Sequence, residues 1–336
     1  MKRDASALII VLWVIALLSV LIGGFAFDMH LESRIVSYQR KKLKSIYLAK
    51  AGIEYSKALL ARSASIQGNT DTDETKAKPW YSDAKRLRQG YAVVGLTDQL
   101  GEGTIVLDLV PEPALRNINK LRDDDWERIF QAGGVPEKLW EELIDSFNDW
   151  RDADDQANLS GAESDYYSRL EPPYKARGRD GKEASLDTID ELLLIKGFTH
   201  AILHGGPLDD GDTNSTPITG IADLLTANKD SSEQVNVNAA SKRVLMTLPG
   251  IDETIADAII EAREGLTAGA KIGDDYFFKD ANDFFGRVPA LGTIAPEDQQ
   301  YLRSLAGTAS TIYRITSVGR SHGVEYKLVS VIVIKR

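Results

Sequence analysis

The chain contains no cysteine, so it has no disulfide framework and no thiol to act as nucleophile or metal ligand. Its four histidines are His30, His200, His204 and His322, and only His200 and His204 stand at a ligand spacing. On a helix that i,i+4 pair would suit zinc. It sits beside Gly205-Gly206, however, with no acidic third ligand next to it in the sequence, so a surface or capping role is expected. No glycine-rich phosphate loop precedes a lysine, and no Gly-x-Ser-x-Gly elbow occurs, so nothing points to an enzyme. Basic residues are in deficit, 40 Lys and Arg against 50 Asp and Glu. The net charge of −10 gives no electrostatic footprint for nucleic acid.

Charge is also missing locally. Ser6 to Phe27 is an uninterrupted apolar run of 22 residues behind Lys2, Arg3 and Asp4. About 20 helical residues at ~1.5 Å each cross a bilayer core of ~30 Å, so the run reads as a membrane span. It is longer than the core of a secretory signal, and Asp28 to Glu32 behind it offer no small-x-small cleavage site. Lys2 and Arg3 put the N-terminus on the cytoplasmic side and the rest of the chain across an inner membrane, in a periplasm.

Proline is absent from Asp28 to Arg62, and only Gly52 interrupts good helix formers. Leu31, Ile35, Tyr38, Ile46, Ile53 and Leu60 recur at spacings compatible with one face, with basic residues on the others. Span and extension are expected to form one helix of about 55 residues, weakened at Gly23-Gly24. Tyr91–Thr97 and Gly103–Val110 look like strands, as do Ile312–Val318, His322–Lys327 and Leu328–Ile334. Two strand groups at opposite ends of the sequence can form one sheet against the long helix, an α+β module with a helical insertion.

Leu121 to Leu170 is acidic, with a local balance of −9. Asp123-Asp124-Asp125 suit a helix N-terminus. Asp152, Asp154, Asp155, Glu163 and Asp165 place five carboxylates within 14 residues. Hard cations such as Ca2+ take six to eight oxygens from loops of this kind, although the spacing is not that of an EF-hand. A solvated acidic loop is the other reading. Asp209-Asp210-Gly211-Asp212-Thr213-Asn214 is a second oxygen-rich loop.

Asn236 and Asn238 precede a helix over Ala239–Thr247, a turn at Leu248-Pro249-Gly250-Ile251 and a second helix over Asp252–Arg263. This is the pattern of a helix-hairpin-helix unit, with Leu245, Leu248, Ile251, Ile255 and Ile259 as its core. A DNA-binding hairpin usually carries a second glycine where Asp252 stands. Asp252, Glu253 and Asp257 would repel phosphate, so the unit reads as scaffold. Asn117-Ile118-Asn119, a helix and Gly133-Gly134-Val135 have the same outline, which suggests an internal duplication.

Five stretches resemble one family in family order. They are SALIIVLWVIALLS at Ser6–Ser19, YLAKAGIEYSKALL at Tyr47–Leu60, DWRDADDQ at Asp149–Gln156, GAESDYYSRLEPPY at Gly161–Tyr174 and VNVNAASKRVLMTLPGI at Val235–Ile251. The chain thus resembles the K-type minor pseudopilins of type II secretion. The resemblance implies a leader over 1–5, a transmembrane helix over 6–27, an amphipathic extension over 28–62, a pilin-like α+β head from 63–113 and 308–336, and an inserted helical domain over 114–307. It implies that prepilin peptidase cuts between Ala5 and Ser6 and methylates the new amine. Ala5 stands where the family usually has glycine, and Ser6 where it has an apolar residue. Ile10 occupies the fifth mature position, where most pilin-like subunits carry the glutamate that pairs with a neighbour's amine. The implied role is a cap on the periplasmic pseudopilus. The implied partners are the I- and J-type minor pseudopilins and the major pseudopilin, with secreted proteins and the outer-membrane secretin as further candidates. Calcium sites are also implied. A membrane-anchored DNA-uptake protein and an anchored periplasmic metal-dependent enzyme are the other readings.

Overall fold

The computed structural model describes residues 3–66, 71–178, 183–208, 216–266 and 275–334. The chain opens with α1 (Arg3–Ser65), a single helix of 63 residues. It continues through Gly23-Gly24, where a weak point was expected. Helix formation is cooperative, so two glycines at about 1 kcal/mol each need not break a long helix. From Ile10 onward α1 is long and apolar enough to cross a membrane, and Trp13, Val20 and Phe27 are exposed.

The following elements are α2 (Asp73–Lys76), α3 (Tyr81–Arg88), β1 (Val93–Leu100), β2 (Gly103–Pro111), β3 (Arg116–Asn117), α4 (Asp123–Gly133), α5 (Trp140–Arg151), α6 (Ser164–Tyr167), α7 (His200–His204), β4 (Gly206–Leu208), β5 (Thr216–Ile218), β6 (Leu225–Thr226) and β7 (Val235–Asn236). Then come α8 (Lys242–Leu245), α9 (Glu253–Glu264), α10 (Ala281–Arg287), α11 (Pro296–Leu305), β8 (Ala306–Gly307), β9 (Ile312–Ser321) and β10 (Val324–Val333). The four long strands form one sheet in the order β1-β2-β9-β10. The C-terminal segment makes two strands, not the three expected. His322 and Gly323, at φ 48° and 81°, form the two-residue turn between them, and positive φ at both positions suits the twist of a hairpin.

The chain divides into two compact units, one of residues 1–56, 95–108 and 315–330, the other of 57–94, 109–314 and 331–336. This division departs from the expected head and insertion, because 57–94 goes with the insertion. Tyr91 donates its hydroxyl to the Arg263 carbonyl, Asn236 Nδ2 donates to the Gly90 carbonyl at 2.8 Å, and Tyr313 donates to the Leu87 carbonyl at 3.1 Å.

In the first unit α1 meets the sheet through small residues. Ser45, Ala49, Gly52, Ile53 and Ser56 are buried. A Cβ on Gly52 would stand 2.2 Å from Ser317 Oγ, and one on Gly319 would stand 2.2 Å from the Ser45 carbonyl oxygen. The Ser56 hydroxyl donates to the Gly52 carbonyl at 2.8 Å, so the helix satisfies it internally. Of the expected apolar stripe, Ile53 and Leu60 are buried, Ile46 is half-buried, and Leu31, Ile35 and Tyr38 are exposed.

The second unit holds an aromatic and aliphatic core that includes Trp126, Phe130, Phe147, Leu245, Ile259 and Phe284. Short parallel ribbons punctuate this domain, which the sequence suggested was helical throughout, and they expose the internal duplication. β3 pairs in parallel with β6, and β7 with β8. Asn117 Oδ1 accepts the Asn119 amide at 3.1 Å, and Asn236 Oδ1 accepts the Asn238 amide at 3.0 Å. Asn119 brackets Leu186, accepting its N–H at 2.7 Å and donating to its carbonyl at 3.1 Å. Asn238 brackets Phe278 in the same way, at 2.8 and 2.9 Å. Each bracketing Asn also donates to the residue that follows the partner strand, Ala227 at 3.3 Å or Thr308 at 3.2 Å. One hydrogen-bond scheme is thus built twice.

Candidate metal centre

Helix α5 carries a buried stripe of Leu143, Ser146, Phe147, Asp149 and Trp150. Trp150 meets Tyr167 edge-on at 5.0 Å, and Tyr167 stacks on Tyr174 at 5.4 Å. These aromatics hold the end of α5 against α6. Glu163 caps α6, accepting the Ser164 amide at 3.3 Å through Oε2. The result brings one carboxylate oxygen each from Asp149, Asp152 and Glu163 within 4.8 Å of one another.

Each carboxylate is partly occupied. Asp149 Oδ1 accepts Asn158 Nδ2 at 2.6 Å, and Oδ2 accepts the Asn158 amide at 3.1 Å. Asp152 Oδ1 accepts the Asp154 amide at 3.2 Å. Among the described residues, Glu163 Oε1 is buried with no hydrogen-bond partner. Glycine at 161 is a steric requirement, since a Cβ there would lie 2.0 Å from Asp149 Oδ2. All three carboxyls titrate high. Burial comes first for each, and for Asp152 and Glu163 the neighbouring carboxylates add to it. Glu163 is pushed up to about 7 by burial and then by the charges of Asp152 and Asp149. A small, oxygen-only, negatively charged nest with an unpartnered buried carboxylate oxygen fits a hard cation.

The structure therefore groups two of the five expected residues, Asp152 and Glu163. Asp154, Asp155 and Asp165 are exposed and outside the group. Asp154 Oδ1 turns to the Gln156 amide at 2.8 Å, and Asp165 faces Arg169 at 4.0 Å. Asp149, absent from the five expected residues, is the third member of the group. Its signal was an acid on the apolar stripe of α5, adjoining Trp150. The second oxygen-rich loop, Asp209–Asn214, lies outside the described residues.

The hairpin unit spans α8 and α9. Asp252 Oδ1 caps α9 by accepting the Ile255 amide at 2.8 Å. Leu245, Leu248, Ile251, Ile255 and Ile259 are all buried. Its cations are paired within the chain, Lys242 with Glu253 and Asp257 at 2.8 Å each, and Arg243 with Asp223. A hairpin built this way presents acid where phosphate would bind. Asp125 does more than complement a helix dipole. It is fully buried, 2.8 Å from Arg116 Nη2 and 2.7 Å from the Tyr301 hydroxyl.

Ala5 and Ser6 lie in the first turns of α1, and Ile10 is 61% exposed. The His200/His204 pair is helical, and an acid does approach it, Asp190 Oδ1 at 3.4 Å from His204 Nε2.

Residues 108–205 match the family model for protein K of the type II secretion system, and residues 230–271 match that of the helix-hairpin-helix motif. Type II secretion system protein K of Pseudomonas aeruginosa is 26% identical over 304 residues, covering 87% of this chain and 78% of that protein. The crystal structure of the GspK-GspI-GspJ complex from the type 2 secretion system of enterotoxigenic Escherichia coli superposes with a TM-score of 0.59 at 17% identity. That likeness covers 90% of this chain and 95% of the other, and it shows a shared fold.

Proposed function

We infer that this chain, which belongs to the type II secretion system protein K family, is the minor pseudopilin that caps the periplasmic pseudopilus. The observation that carries this reading is the family match over residues 108–205, which takes in the first half of the inserted domain, the part a slim filament subunit would not need. Its work is assembly, and no turnover is required of it. The DNA-uptake reading is not favoured, because Asp252 caps a helix where a phosphate would have to sit. The α1 helix anchors the chain once in the inner membrane, with its N-terminus cytoplasmic, as Lys2 and Arg3 favour. Prepilin peptidase cuts between Ala5 and Ser6 and methylates the new amine. Ile10 then leaves the fifth position without the carboxylate that pairs with a subunit amine, and such a carboxylate in hydrocarbon is costly unless paired. The chain joins the I- and J-type minor pseudopilins above the major pseudopilin, and the insertion faces secreted proteins and the secretin.

Calcium is the cation proposed for Asp149, Asp152 and Glu163. Carbonyl oxygens and water complete the six to eight positions that calcium takes. Bound there, it supplies the positive charge that three crowded carboxylates lack.

Gold labelling of sheared pseudopili tests the cap. The chain should appear at one end only, and its N-terminal mass should begin at Ser6. Regular labelling along filaments, or an intact Met1 in assembled fibres, would contradict the two parts of this reading separately.

A further inference from the structure

Helix α7 is short, but it is well fixed. Thr199 caps it by accepting the Ile202 amide at 3.3 Å, and Ile202 and Leu203 are buried beneath it. This fixes the outward face, where His200 and His204 stand one turn apart. Their ring centroids are 4.7 Å apart and the rings are tilted by 47°. The sequence offered no acid beside the pair. The fold supplies one from Asp190, in the 3₁₀ segment Ile189–Leu194, with Oδ1 3.4 Å from His204 Nε2. That segment is anchored in turn by buried Glu191 and Leu192. All three side chains are solvent-accessible, with His204 at 39% and Asp190 at 74%.

We propose that His200, His204 and Asp190 form a surface site for a divalent transition-metal ion of the zinc type. Two imidazoles and a carboxylate are the donor set of borderline metals, whereas calcium and magnesium select oxygen. Zinc holds nitrogen and oxygen ligands at about 2.0–2.2 Å, so two ligand atoms on one tetrahedral ion lie roughly 3.3 Å apart. The His204–Asp190 separation already matches that value. His200 is exposed, and a rotation between staggered side-chain wells would have to bring its ring to the same point. Water fills the remaining position. The ion would clip the 3₁₀ segment to α7 across the intervening turn. It differs from the Asp149–Asp152–Glu163 nest in donor chemistry, so the two sites can be loaded independently.

The test uses the full chain in detergent micelles with millimolar calcium present, so that the oxygen nest is occupied by its preferred ion. Zn2+ is titrated by calorimetry, and Co2+ by its visible absorption. One Zn2+ should bind per chain, and Co2+ should develop the intense visible bands of a four-coordinate site. His200→Ala and His204→Ala should each weaken binding at least tenfold, since even outer partners of metal ligands cost about 10–100-fold. Asp190→Asn should weaken it less, and His322→Ala should leave it unchanged. The substituted groups are exposed, so folding is not at stake. No saturable binding up to about 100 μM Zn2+ would overturn the proposal. So would binding undiminished in the His200→Ala/His204→Ala double variant.

Discussion

Glu163 shows how far a single residue departs from its sequence reading. In the sequence it is one acid among fourteen between Leu121 and Leu170. In the fold it is 5% exposed, with one oxygen capping α6 and the other without a partner among the described residues. Burial, then Asp152 and Asp149, raise its carboxyl from 4.5 to about 7. The folded state therefore holds a proton that the unfolded state has released across that window. Its contribution to stability is complete below about pH 4.5 and is lost as pH rises through about 7. Melting curves of the chain in chelator should show this fall, and Glu163→Gln should flatten it. The proposed calcium ion would bind the ionised form, so added calcium should raise the melting temperature most above pH 7, and Glu163→Gln should remove most of that rise. A calcium-induced rise of equal size in Glu163→Gln would remove Glu163 from the site. Asp149 could be read no better than as the end of a helix, because ligation depends on which loop returns to it. The return of Asn158 and Gly161 onto its carboxylate is a tertiary event.

At the scale of elements, periodicity located most of the segments but misjudged the face of α1. The eye follows Leu31, Ile35 and Tyr38, yet the sheet is met by Ser45, Ala49, Gly52 and Ser56. A sheet-facing helix can be selected for closeness as well as for hydrophobicity, and small residues carry no hydropathy signal. β9 answers with Ser317 and Gly319. A methyl group on Gly319 would lie 2.2 Å from the Ser45 carbonyl oxygen and 2.5 Å from the Ala49 nitrogen, both backbone atoms that cannot turn aside. Gly319→Ala should therefore destabilise the first unit by about 1–3 kcal/mol, the usual range for overpacking, and Gly286→Ala, where an added methyl meets nothing within 4 Å, should not. Denaturant unfolding of the two variants would separate contact from composition, and equal midpoints for wild type and Gly319→Ala would contradict the close approach. The duplication was legible as Asn-x-Asn and a glycine turn. Its confirming partners, Leu186 and Phe278, lie 67 and 40 residues downstream of their asparagines, beyond the reach of pattern reading.

At the scale of the whole molecule, α1 poses a problem that the chain does not solve alone. Between the apolar span and Ser45, where burial begins, Leu31, Ile35 and Tyr38 are about half exposed. Basic residues cover the other faces, among them Arg34, Arg40, Lys41 and Lys42. An apolar stripe along a helix in water is stabilised by a partner. On the proposed function, pseudopilins with helices of the same kind would supply that partner, and side-by-side packing would cover the stripe while leaving the basic faces hydrated. Ile35→Cys should therefore form oxidative crosslinks to single-cysteine minor pseudopilins in membranes. Ala49→Cys, buried against the first unit's own sheet, should form none. The absence of any native cysteine makes each product unambiguous on this side of the bond. Equal crosslinking at both positions would mean that the helix leaves its sheet during assembly. Crosslinking at neither would mean that the exposed stripe faces lipid or solvent, and helix-to-helix packing would then be ruled out as the way this subunit joins the tip.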